Sequence, residues 1–460
     1  MNTSDIVERV HRASLALLDD PGVRIEHEGI RARLKCAGAR EGAREGVIRF
    51  PEPLVTESLE QAPGEVWLAD RRGGGCRLAP GAPAAVWSAP GMYVFRHGEH
   101  RLFRSRDLAD AARLLDQLPE VDGVFGLALS DYPPGTGDVV GLRVMAENTT
   151  KHIRVLSFTP RGAEAVCRMH EALGPAPWFS VGFTAHGPLR WTRLALEIFE
   201  KTAGRGLPVS INGEPMAGVS APVTLAGCAA VGNAEILAGL VVNQVLEPGR
   251  PCIHNLGLAH IFDMRAATAV TGAPENHLLA EIGAELARWY GLPSASWVST
   301  DSPIGDEQAA MEKAAGFFTH LRAGVSLVWG VGQLESELTF SPAQAVVDNE
   351  IVGGARRYAR GWDAGDEALA VSVVREVGIA GSFLDHEHTL AHFRSELHEP
   401  DLSWRRRRAD WVAAGRPTLA RRAEERADEY IGRERPPCLT DENRRALIEI
   451  ERAFLKEPAL

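Results

Sequence analysis

Leu207-Pro208-Val209-Ser210-Ile211-Asn212, then Gly213-Glu214-Pro215-Met216-Ala217-Gly218, then the apolar run from Val223 to Leu246, is the stretch that decides the fold. The first six residues read as a strand and the last run as a long helix, so Glu214 falls where strand becomes loop. The same unit recurs along the chain. Strand-like runs lie at Val121 to Leu129, His152 to Phe158, Trp178 to Phe183, Cys252 to Leu256, Ser296 to Thr300 and Val325 to Trp329, with an eighth, less distinct, at Glu376 to Phe383. Strands spaced by roughly 25 to 45 residues with helices between them are βαβ units, and seven or eight in one chain predict a closed (β/α)8 barrel. The alternative is an open doubly wound sheet. That needs a glycine-rich phosphate loop after its first strand, and Leu129-Ser130-Asp131-Tyr132-Pro133-Pro134-Gly135 is not one. The expected division is an N-terminal α+β region over 1–115, the barrel over 116–393 and a C-terminal helical extension over 394–460.

The 460 residues carry a net charge of -11 and are 45 % hydrophobic, which suits a chain with a sizeable core and argues against a nucleic-acid groove or an anionic membrane as partner. Arg405-Arg406-Arg407-Arg408 stands among Asp401, Trp404, Asp410 and Trp411 and reads as a solvated helix face. The six cysteines are scattered without a C-x-x-C pair, so no disulfide framework or zinc ribbon is expected and the cytoplasm is the natural compartment. The N-terminus is polar and starts a helix, unlike a signal peptide. The apolar run to Leu246 is long enough to span a bilayer but is interrupted by Asn233, Glu235, Asn243 and Gln244, which predicts a helix packed inside protein.

In a barrel the loops at the carboxyl ends of the strands build the active site. The polar residues there are Asp131, Thr159, His186, Glu214, Asn255, Thr300-Asp301-Ser302 and, for an aromatic face, Trp329. Glu214 is the leading candidate, as a carboxylate able to hold an ammonium ion or, on the plainer view, to pair with a neighbouring arginine. His254 and Asn255 must face opposite sides of their strand, and Asn255 is the one expected at the mouth. Asp301, Gln308 and Glu312 form an acidic second region, in which Asp306 is either part of the site or the N-cap of the next helix. Trp297 and Trp329 can present ring faces to a cation or simply fill core, and Tyr93, Phe158 and Phe183 are weaker candidates. Asp385-His386-Glu387-His388 hints at a metal site, but no third ligand is evident nearby.

Glu214 within Gly213 to Gly227, then Gly232-Asn233-Ala234-Glu235-Ile236-Leu237-Ala238-Gly239, resembles the trimethylamine methyltransferase family. So do Leu17-Leu18-Asp19-Asp20-Pro21-Gly22-Val23, Phe50 to Val55, Phe340-Ser341, Asp348-Asn349-Glu350-Ile351 and Glu387-His388-Thr389-Leu390, in order and over nearly the whole chain. The resemblance implies a methyltransferase that passes a methyl group from an amine to the cobalt of a corrinoid (cobalamin) on a small corrinoid-binding protein. For that chemistry Glu214 and Asp301 are expected to be catalytic and Asn255, Trp297, Trp329, Gln308, Glu312 and His388 to contact the substrate, in a homo-oligomer. The founding members carry pyrrolysine inside the barrel. This chain has only the twenty ordinary residues, with the gap falling near Ser294 to Ser302, which favours the non-pyrrolysine branch and a quaternary amine such as glycine betaine. Two other readings stay open: a homologue that binds a quaternary amine without demethylating it, and a metal-dependent barrel hydrolase. A quaternary substrate does not titrate, so with Glu214 and Asp301 ionised the rate is expected to be flat from about pH 6.5 to 8.5, unless burial raises a carboxyl pKa.

Overall fold

The computed structural model describes residues 3–126 and 128–456. Eight parallel strands close into a barrel: β1 (Ala85–Ser88), β2 (Gly123–Phe125), β3 (His152–Arg154), β4 (Phe179–Thr184), β5 (Val209–Asn212), β6 (Cys252–Gly257), β7 (Ser294–Trp297) and β8 (Leu327–Val331). Each pairs with its neighbours in sequence, and β1 closes the ring between β8 and β2. Seven strands fall inside the expected runs or within two residues of them. The eighth does not. Glu376 to Phe383 is the end of a short helix, Val371–Val377, followed by turns at Gly378 and Ala380, whose positive φ angles of 72° and 63° no strand accommodates. Closure comes instead from Ala85–Ser88, so the boundary at residue 116 cuts off the first strand of the barrel.

Period-two alternation sorts the strand side chains into two cores. Val86, Val124, Ile153, Val181, Val209, Ile211, Cys252 and Val328 face outward into the large core shared with the helices. Ala85, Trp87, Phe125, Ile253, Ala295, Trp297, Leu327 and Trp329 face inward and form a separate cluster. The amino end of the lumen is stoppered by a hairpin, Val66–Ala69 with Gly75–Leu78, whose Val66, Leu68 and Leu78 join that inner cluster. The carboxyl end is crowned by two small sheets. One joins Tyr93–Arg96 and Glu99–Leu102, after β1, to Gln333–Leu334 and Thr339–Phe340, after β8; the other joins Met216–Ala217, after β5, to His260–Asp263 and Thr268–Val270, after β6.

The helix after β5, Leu225–Leu246, is apolar all round because it is covered all round: Thr3–Asp19 and Glu52–Gln61 lie on its outer side, β5 and β6 on its inner side. It is long and apolar enough to cross a membrane by composition, and here it is buried inside protein. Beyond the last barrel helix, Pro342–Arg360, two amphipathic helices strap the barrel. Leu419–Gly432 packs on Ser105–Gln117 and Pro342–Arg360, and Asp441–Lys456 packs on Gly137–Asn148 and Pro160–Leu173. The four consecutive arginines are exposed as expected, although a helix begins only at Arg408. All six cysteines are free.

Candidate active site

The loop after β5 delivers Glu214 into the barrel mouth. Alternation along Ser210, Asn212 and Glu214 keeps all three on the lumen side. Ser210 Oγ donates to Asn212 Oδ1 at 2.7 Å, Asn255 Nδ2 donates to the same oxygen at 2.7 Å, and Asn212 Nδ2 donates to Thr184 Oγ1 at 3.0 Å. Asn255 therefore faces inward as expected, while His254 points out to Asn233 Oδ1 at 2.9 Å. Burial holds the His254 imidazole neutral, with its pKa pulled down to about 4. This amide and hydroxyl ladder is satisfied within itself. Glu214 is not part of it: among the described residues its carboxylate has no hydrogen bond and no ion pair.

Burial pushes the Glu214 carboxyl from 4.5 up to about 7. Two further carboxylates lie near enough to feel its charge. Glu235, wholly buried in the helix after β5, accepts from Leu189 N at 2.8 Å through one oxygen and leaves the other without a partner. Its pKa is raised to about 7, by burial first and by Glu214 as well. Glu337, on the loop after β8, is raised to about 8 by burial and by Glu214. Three acids gathered with almost no donors form a site suited to a cation.

The inner face of the barrel carries an aromatic wall. Trp87, Trp329 and Trp297 are register partners across β1, β8 and β7, all nearly buried and facing inward, and Phe125 meets Trp329 edge to face at 5.8 Å between centroids. The indole N–H groups of Trp297 and Trp329 have no acceptor. An unpaired buried N–H costs about 1–3 kcal/mol, so this part of the lumen is shaped for a polar guest as well as a ring contact.

The acidic loop after β7 does different work. Asp301 accepts from Thr271 N at 2.9 Å, Thr271 Oγ1 at 3.0 Å, Gly272 N at 3.0 Å and Ser336 Oγ at 2.6 Å. Glu312 accepts from Thr300 Oγ1 at 2.6 Å, Asp301 N at 2.9 Å and Gln308 Nε2 at 2.9 Å. Both carboxylates are saturated clasps, and Gln308 is exposed. Asp306 is the N-cap of Glu307–Ala323, accepting from Ala309 N at 3.0 Å. What the clasps hold is the turn Glu335-Ser336-Glu337, whose three residues all have positive φ, at 55°, 48° and 85°. Side chains resist that conformation, so the turn needs outside support. Besides the Asp301 bond it has Glu335 N to Ser302 O at 2.8 Å and Ser336 N to Thr300 O at 2.9 Å. Asp301 thus acts on the mouth through Ser336, by presenting Glu337. Below it, Lys313 and Asp348 form a fully buried ion pair at 3.2 Å that fastens the ends of β7 and β8 through Val298 O, Gly330 O and Gly332 N.

The remaining candidates lie elsewhere. His388 sits in the helix Glu387–Glu396, its ring tilted against His392 and facing Glu367 O, away from Glu214 and the strand ends. His386 caps that helix, and among the described residues no three His, Cys, Asp or Glu side chains are gathered to hold a metal. Asp131 bonds Ser105 N and Oγ, and Thr159 caps Pro160–Leu173. Phe183 stacks on Phe199 on the outer side of the barrel, and Tyr93 on His100 in the crowning sheet. Sequence reasoning missed Glu235, Glu337 and Arg154. The last follows His152 at the inward spacing of β3 and is 4 % exposed, with its guanidinium over the Phe125 ring at 5.3 Å.

A closed parallel barrel with polar and acidic residues at the carboxyl ends of its strands is the architecture of a barrel enzyme. The chain matches the trimethylamine methyltransferase (MTTB) family over residues 1–453 and belongs to it. It is a methyltransferase. It is 32 % identical over 439 residues to trimethylamine methyltransferase MttB of Desulfitobacterium hafniense, covering 91 % of this chain and 86 % of that one. It is 27 % identical over 460 residues to a glycine betaine methyltransferase of the same species, covering 96 % and 94 %. The fold is also that of the solved Methanosarcina barkeri monomethylamine methyltransferase, with a TM-score of 0.54 at 14 % identity over 78 % of this chain and 75 % of that one.

Proposed function

We propose that the protein moves a methyl group from a quaternary amine of the betaine kind to the cobalt of a corrinoid carried by a small partner protein. The observation that carries this is Glu214, an unpaired and largely desolvated carboxylate at the end of β5 that raises the pKa of Glu235 and Glu337, in a barrel whose inner face also carries Trp297 and Trp329. A quaternary ammonium cannot donate a hydrogen bond, so it is held by charge and by ring faces, and this mouth supplies both. Among the described residues there is no activated nucleophile there, and the reaction needs none. The corrinoid is the methyl acceptor and supplies the nucleophile. The substrate leaves as a neutral tertiary amine without a general acid, so the protein's task is to orient the N-methyl carbon and exclude water.

The rim supports a protein-borne acceptor. Met92 after β1, Val219 and Val223 after β5, Met264 after β6, Ile304 after β7 and Leu338 after β8 are all exposed apolar side chains on loops around one opening. Met92 N bonds Leu338 O at 2.8 Å, making two of them neighbours. Such a ring fits docking of a second surface over the mouth. The test is a screen of methylated amines against reduced cobalamin, free or on a corrinoid protein, followed by the absorbance of methylcobalamin. Product from glycine betaine or a related betaine is the expected result. Tight binding of a betaine in calorimetry without product from either acceptor would replace the enzyme reading with that of a binding protein.

A further inference from the structure

We propose that Arg154 recognises a carboxylate on the substrate, so that the barrel selects a zwitterion whose acid group lies a few bonds from its quaternary nitrogen. This goes one step past the methyl-transfer reading and rests on it only for the ammonium half of the ligand.

Arg154 is the last residue of β3 and points into the lumen. Its guanidinium fills the space left by Gly182 on β4, where a Cβ would fall 1.8 Å from Nη2; no other residue fits opposite this arginine. Nη1 donates to Val155 O at 2.8 Å, and Nε has no partner. Among the described residues no carboxylate forms an ion pair with it. A buried cation without a counter-ion is among the costliest arrangements a protein keeps. The described residues supply it no counter-ion. Burial accordingly draws the Arg154 pKa down to about 9.

The two unsatisfied charges belong to one lumen but not to each other. Glu214 and its neighbours want a cation, Arg154 wants an anion, and they make no ion pair together. Phe125 links Arg154 to the aromatic wall, with the Arg154 guanidinium 5.3 Å from its centroid and the Trp329 ring 5.8 Å from it. A short zwitterion laid across Phe125 satisfies both ends. Its ammonium meets the glutamates and indole faces, and its carboxylate meets Arg154 in a charge-assisted bond. The unpaired indole N–H groups of Trp297 and Trp329 are further donors for that carboxylate.

Two half-ligands separate the claims. 3,3-Dimethylbutyrate has the shape and carboxylate of glycine betaine without the positive charge; tetramethylammonium has the charge without the carboxylate. In calorimetry, Arg154→Met should weaken dimethylbutyrate by roughly 30-fold or more while changing tetramethylammonium by less than about threefold, and Glu214→Gln should do the opposite. Arg154→Lys, which keeps the charge but not the fork, should fall between. The ligand-free Arg154→Met protein should melt at the same temperature or higher, because a lone buried charge has been removed. A lower melting temperature with unchanged dimethylbutyrate affinity would make Arg154 a structural residue, and equal losses for both half-ligands, or no dimethylbutyrate binding by the wild type, would also overturn the proposal. Methyl transfer from glycine betaine with an unchanged KM in Arg154→Met would sink the carboxylate site and spare the methyl-transfer reading. Selective loss of dimethylbutyrate with no methyl transfer from any betaine would do the reverse.

Discussion

The loops after β5 and β7 each bring a carboxylate to the barrel mouth, and the two groups are treated in opposite ways. Asp301, after β7, receives four hydrogen bonds and fastens three loops. Glu214, after β5, receives none, and burial raises its pKa to about 7. A saturated carboxylate has spent its bonding capacity inside the protein, so it stabilises the scaffold. An unsatisfied one weakens the scaffold and is free for a ligand, which is the usual signature of a working site.

The sharpest break in that comparison is at the buried pair beneath the β7 and β8 loops. Lys313→Met should cost about 3–5 kcal/mol of stability, because Asp348 is left charged in the core; the double variant Lys313→Met with Asp348→Leu should recover most of it in a denaturant titration. Asp301→Ala should cost about 2–4 kcal/mol and also weaken binding of a quaternary ammonium, since the turn that presents Glu337 loses its Ser336 anchor. Full stability in that variant would remove the clasp role. Glu214→Gln should do the reverse: affinity for tetramethylammonium down roughly 10- to 100-fold, with the melting temperature unchanged or raised. Trp329→Ala should have the smallest effect, a loss of about 0.5–2 kcal/mol more for a cationic ligand than for its neutral isostere. Equal losses for both would make the ring packing only.

The pH profile follows from the same contrast and corrects the flat one expected from ionised carboxylates. With Glu214 and Glu235 near 7 and Glu337 near 8, the empty mouth carries protons at neutral pH. A non-titrating cation binds best once they are lost, so its affinity should rise from pH 6 to 8.5. The sign for stability is opposite. These folded-state pKa values lie above the unfolded 4.5, so the folded chain holds more protons, and the ligand-free protein should lose stability as pH rises from about 4.5 through 7 to 8. Saturating tetramethylammonium should flatten that decline.

Much of this was legible in the chain. Period-two runs and the apolar helices between them located seven strands, and strand-end position alone singled out Glu214 and turned Asn255 inward. Ala85–Ser88 escaped because it is set among prolines and glycines from Pro80 to Pro90, which read as turns, and precedes the regular strand–helix rhythm that begins at Val121. Asp301 and Glu312 read as site acids because composition does not reveal which carboxylates are already satisfied. Glu337 depends on three left-handed residues pinned by another loop, and Glu235 on how a helix lies against Leu189; neither is a local property. Arg154 did leave a trace, as a charge at the inward spacing of a barrel strand.

The most direct test is calorimetry of glycine betaine binding at pH 7 in buffers of different ionisation enthalpy, which counts protons released. The account predicts binding with net proton release by the wild type, and both weaker binding and smaller release by Glu214→Gln. Binding of equal strength in the two proteins with no proton release in either would contradict it.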